Sequence, residues 1–154
     1  MSIFLLAGFA LLLGAFAFAL WKGDVAERIG GSLNLAAGLF ALAVHPLLDK
    51  DLQPVALLVV DAGLAIGLLF LAIRFASLWL GAAMLLQAVQ FGLHAYYMVM
   101  ELPHDLNYAR INNIDTTGIN LFIIIGTVMS WRRRNAAQRA AKAAEAVAQA
   151  ASGG

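Results

Sequence analysis

Apolar residues run along the chain in five long stretches, residues 2–21, 31–48, 54–74, 77–100 and 116–131, and polar residues separate them. At about 1.5 Å of rise per residue, some twenty helical residues cross a hydrocarbon core of about 30 Å, so each stretch predicts a membrane-spanning helix. The separators are Lys22 to Gly30, a turn over Asp49 to Gln53, a tight break at Phe75-Ala76 and a polar loop from Glu101 to Asp115. Gly30-Gly31 opens the second span on this reading, and Pro46 kinks or ends it. The predicted fold is all-α: an integral membrane bundle of five transmembrane helices over 1–131, followed by a cytoplasmic helical tail over 132–154.

The fourth stretch is not uniformly apolar. Gln87, Gln90, His94, Tyr97 and Glu101 recur at spacings of three and four, which lines them up along one face of a helix. Lipid offers such groups no partner, so the seam must face protein, water or a bound molecule. In the third stretch Asp61 lies seven residues from Pro54, and in the fourth His94 lies seven from Glu101, so both sit roughly 10 Å below the same boundary. Asp61 and His94 are therefore expected partners, with Asn120 of the fifth span and His45 of the second in the same half of the bilayer. Gln87 and Gln90 lie deeper and have fewer obvious partners. The second span repeats the pattern with Asn34, Gly38, Ala41 and His45, and the fifth with Asn113, Asn120 and Thr127.

Small residues recur four apart at Ala10 and Gly14, Ala37 and Ala41, and Gly63 and Gly67, as close helix packing requires. Trp79, Tyr96 and Tyr97 stand near the ends of the fourth span and read as interfacial anchors. Within the polar loop, Leu102, Leu106 and Ala109 permit a short helix on the headgroup layer, and Asp115 or Thr117 could cap the fifth span.

Composition agrees with this pattern. Of the 154 residues, 62% are hydrophobic and only 12% charged, about half the charged share of a soluble domain. The net charge of +1 gives no reason to expect a nucleic-acid partner. Placing the tail in the cytoplasm puts eight of the ten basic residues inside, leaving Lys50 and Arg110 outside, which predicts an outside N-terminus and an inside C-terminus. The run Ile3 to Leu20 lacks a basic flank before it and is read as a retained first span, not a cleaved leader. Arg132, Arg133, Arg134, Arg139 and Lys142 form a basic cluster expected to rest on anionic lipid headgroups.

Candidate chemistry is sparse. Zero cysteines exclude disulfides, thiolate metal sites and cysteine nucleophiles. His45, Asp61, Glu101, His94, His104 and Asp105 are the available metal-ligand types, yet the one pair four residues apart, Glu101 and Asp105, falls in the polar loop, so no i, i+4 pair on a predicted span presets a site. No cofactor is expected; a haem would have to use His45 and His94 as its axial pair. With no phosphate loop and no nucleophile elbow, the leading expectation is a non-enzymatic scaffold or accessory subunit, partnered by the bilayer and by another membrane protein or a second copy. The alternatives are a small transporter or proton-linked sensor using Asp61 and His94, and a haem or quinone redox protein through His45 and His94.

Several short motifs carry a resemblance. Gly23-Asp24 with Glu27-Arg28, Asp61 leading to Leu71-Ala72-Ile73-Arg74, Ser77-x-Trp79, Gln87, His94, and Gly126 to Trp131 before a basic tail resemble small uncharacterised multi-pass bacterial membrane proteins. The likeness extends through Arg134. It departs where such proteins carry Trp-Pro near the start of the fourth span, since the order here is Ser77-Leu78-Trp79-Leu80. The resemblance implies a bacterial inner-membrane location and no particular chemistry.

Overall fold

The computed structural model describes residues 3–103 and 105–152, apart from the side chains of residues 3–5, 45 and 152. Those residues form five helices and no strand: α1 Ile3–Lys22, α2 Val25–Leu47, α3 Gln53–Phe75, α4 Leu78–Val99 and α5 Leu106–Ser152. Three of them, α3, α4 and α5, are long and apolar enough to cross a membrane, while the apolar part of α1 described with its side chains, Leu6–Lys22, is shorter. Each helix packs on its neighbours in the chain, α5 returns to α1, and α2 also touches α5 across the ring. Large apolar side chains such as Val59, Ile66, Phe70 and Ile73 of α3 remain on the outside, as a surface bathed in lipid requires.

Two helix starts differ from the sequence expectation. The second helix begins at Val25, six residues before Gly31, because Asp24 caps it: the Val25 N–H donates to Asp24 Oδ1, and Glu27 Oε2 accepts from the Asp24 N–H at 2.8 Å. Gly30 and Gly31 thus lie inside the helix. Gly31 packs on Ala19 and Phe16 of α1, and Gly30 receives Trp79 of α4. The polar loop is also shorter than expected. Residues from Leu106 onward are helical, so the headgroup helix, the fifth span and the tail are one rod of 47 residues. Asp115 and Thr117 therefore do not stand at a helix start; Asp115 is buried at the tenth residue of that rod.

Trp79 is not an interfacial anchor but the centre of the core at one end of the bundle. It is buried against Gly30 of α2 and Gly126 of α5, and a methyl group added at Gly126 would collide with the indole ring. Leu68, Leu71, Leu80, Ala83, Ile119 and Ile123 complete this packing, with Ala15 and Ala19 of α1 behind them. The packing face of α1 is Leu12, Ala15 and Ala19, not the Ala10 and Gly14 pair. At the same end Arg134 of α5 donates to the carbonyls of Lys22 and Gly23, and Arg28 Nε adds a 3.2 Å bond to Gly23. The open C-terminal carbonyls of α1 are therefore satisfied by two cations.

Candidate functional site

The other end of the bundle is organised around Asp61. On α3 the buried positions are Asp61, Leu64, Leu68 and Leu71, so the aspartate occupies a place on the packing face that leucine holds further along. A carboxylate there must be paired. His94 Nδ1 of α4 lies against Asp61 Oδ2, so that imidazole and carboxyl are hydrogen-bonded partners. Gln87, almost wholly buried one turn pair below, donates to Asp61 Oδ1 at 3.0 Å and to the Asp61 carbonyl at 3.4 Å. Both oxygens of the aspartate are engaged from α4.

The rest of the α4 seam points to α5 and the loop before it. Gln90 Nε2 donates to Asn112 Oδ1 at 3.1 Å, and the Tyr97 hydroxyl donates to Asp105 Oδ1 at 2.9 Å. The same carboxylate oxygen accepts from the Tyr108 N–H at 2.8 Å. These bonds hold the Asp105 carboxyl below the usual carboxylate range, the backbone bond from Tyr108 contributing most. The rings of His94 and Tyr97 flank that of Tyr108, with centroid distances of 5.5 and 4.9 Å.

Above His94 the bundle opens into a cavity of about 280 Å³. Pro54, Leu57, Met98 and Leu102 form its apolar side. His94, Tyr97, Tyr108 and Glu101 form the other. Glu101 ends α4 in the left-handed region, φ 52°, with the Leu102 N–H bonded back to the Tyr97 carbonyl at 3.0 Å. A smaller recess of about 210 Å³ lies at the opposite end, between Asp24, Glu27, Phe75, Ser77, Ser130 and Arg133.

Of the residues singled out from sequence, the structure gathers Asp61, Gln87 and His94 into one cluster and sets Tyr97 beside it. It does not bring Asn120 there. Asn120 lies fourteen residues into α5, roughly 21 Å along the helix, and accepts a 3.0 Å bond from Asn34 Nδ2 of α2 while donating to the Thr116 carbonyl. The expected register was wrong because the helix was taken to begin ten residues later. Asn113 is exposed, and its neighbour Asn112 makes the contact to Gln90. Thr127 bonds the Ile123 carbonyl of its own helix. The side chain of His45 and all of His104 lie outside the described residues. In the basic cluster, Arg132, Arg133, Arg139 and Lys142 are exposed, whereas Arg134 is turned inward onto α1.

Sequence reasoning gave Glu27 no structural role and read Asp115 only as a possible cap. Glu27 belongs to a capping box that Asp24-x-x-Glu27 spells out. Asp115 is buried, and its Oδ2 meets no partner among the described residues; the sequence gives no sign of this beyond a polar residue at the edge of an apolar run. No three His, Asp or Glu side chains converge among the described residues as a metal ion would require. Comparison with protein-family profiles, curated proteins and solved structures finds no match to this chain.

Proposed function

We propose that this chain is a five-span protein of the bacterial inner membrane, N-terminus outside and C-terminus cytoplasmic, that serves as a proton-linked binding protein of the sensor or transporter class. One observation carries this reading: His94 is hydrogen-bonded to Asp61 on one side and borders the 280 Å³ cavity on the other. A clasp that only packs helices has no need of a cavity, and histidine is the side chain whose charge ordinarily changes near physiological pH. The basic-residue asymmetry along the sequence supports the orientation and sets the cavity on the outer side.

A second reading, the non-enzymatic scaffold, is favoured by the Asn34–Asn120 bond, which is buried and serves packing alone. Histidine-selective NMR of the purified protein in nanodiscs separates the two. The proton-linked reading expects the His94 ring resonances to follow pH between about 5 and 8, and expects Asp61→Asn to change that titration while circular dichroism stays native. Resonances that do not move with pH, or move identically in the variant, leave the pair a helix clasp and the scaffold as the better account.

A further inference from the structure

We propose that the cavity beside His94 binds a methylated ammonium cation, either on a small solute or on a zwitterionic lipid headgroup. This names a ligand class for the site described above and rests on its being a binding site. The walls decide the charge. Among the described residues no lysine or arginine lines the cavity, so an anion would meet Glu101 with no fixed cation to offset it. Glu101 stands at the mouth and Asp105 just behind it, and the neighbouring α2–α3 turn adds Asp49 and Asp51 against Lys50. That acidic excess draws cations toward this end of the molecule.

The walls also decide the kind of cation. A bare metal ion would seek a shell of several ligands, whereas one carboxylate, one imidazole already bonded to Asp61, two phenol rings and four apolar side chains offer little of that. The Tyr97 and Tyr108 rings are 4.9 Å apart with planes inclined at 58°, so they form adjoining walls instead of a stack. Aromatic walls completed by a carboxylate suit an ammonium whose charge is spread over methyl groups, which needs no hydrogen-bond acceptor. Pro54, Leu57 and Met98 then cover its methyl groups on the far side. A volume of about 280 Å³ accommodates such a headgroup but not a lipid tail.

Glu101 provides the test. Its left-handed backbone is one that glycine adopts without strain, so Glu101→Gly removes the carboxylate and leaves the turn intact. Ala76 holds the same conformation, φ 46°, at the end of α3, which shows that such a turn does not require a carboxylate. The full chain would be placed in phosphatidylglycerol nanodiscs and titrated with choline, and separately with its neutral isostere 3,3-dimethylbutanol, while tyrosine ring resonances are followed. Tyr97 and Tyr108 should shift saturably with choline, the outward-facing Tyr96 should not, and the isostere should bind about tenfold more weakly. Glu101→Gly should weaken choline about fivefold with no loss of helicity.

A parallel sample containing phosphatidylcholine identifies the source. Shifts with free choline point to a solute, and shifts with the lipid alone point to a headgroup. No shift in either sample, equal binding of the isostere, or unchanged affinity in Glu101→Gly overturns the assignment. The His94 titration is read in the same samples: its persistence without choline binding refutes only the ligand class, and its absence refutes the proton-linked reading.

Discussion

Two of the side-chain bonds that join helices inside this bundle differ in what surrounds them. Asn34 and Asn120 meet between α2 and α5 with both side chains buried, and the second amide hydrogen bonds stay within α5. Asp61 and His94 meet between α3 and α4 with 11% of each side chain still accessible, and His94 lines a cavity. The amide pair carries no titratable group, so its bond is the same at every pH. The acid–imidazole pair is built from two titratable groups, and one member borders space that a molecule can fill. Interhelical polar contacts of similar appearance therefore differ in consequence according to chemistry and access, and only the second pair combines both.

The largest effect that could break this contrast is expected at the tightly packed end. Gly126→Leu drives a side chain into the Trp79 indole and should cost about 1–3 kcal/mol or more, read as a loss of folded protein in denaturant titrations; Trp79→Ala in the same chain should recover part of it. If Gly126→Leu folds normally, that end is not the stability centre described here. A smaller effect sharpens the comparison of the two pairs. A double-mutant cycle with Asn34→Ala and Asn120→Ala should give a coupling of about 0.6 kcal/mol that does not vary with pH, whereas the cycle with Asp61→Asn and His94→Gln should give a coupling that does.

The smallest effect concerns the loop beside the cavity. Asp105 has its carboxyl held low by the Tyr108 N–H and the Tyr97 hydroxyl, so its contribution to loop order is present above the unfolded value of about 3.9 and is lost as pH falls through the lower folded value. The Tyr108 amide resonance should report that loss at acid pH, and Asp105→Asn should show the acid-state resonance at every pH. An amide signal insensitive to acid would remove Asp105 from the wall of the site.

Much of the architecture was legible because lipid imposes a simple rule on sequence. Pro54 and the Phe75-Ala76 break delimit α3, whose bounds lie within a residue of the apolar run, and depth counted from its ends set Asp61 level with His94. Charged residues hid the start of α2: Glu27 and Arg28 read as loop, while in the fold Glu27 is consumed in capping its own helix. The start of α5 was concealed in the same way by the ten polar-rich residues 106–115, and Asn120 meets Asn34 instead of the Asp61–His94 pair. Trp79 could not be placed from one helix alone, because the two glycines that receive it come from α2 and α5.

The continuity of α5 has a mechanical consequence. Tyr108, in its first turn, forms part of the cavity wall, and the same unbroken helix runs past Arg134 to an exposed end near Ala151. Its length is about 70 Å. Arg134, fastened to the last carbonyls of α1, stands where a fulcrum would, with about 39 Å of rod toward Tyr108 and about 26 Å toward Ala151. A tilt of about 5° about that point moves the cavity end by about 3 Å and the exposed tip by about 2 Å in the opposite sense, so the cavity wall and the distant tip are coupled as two arms of one rod.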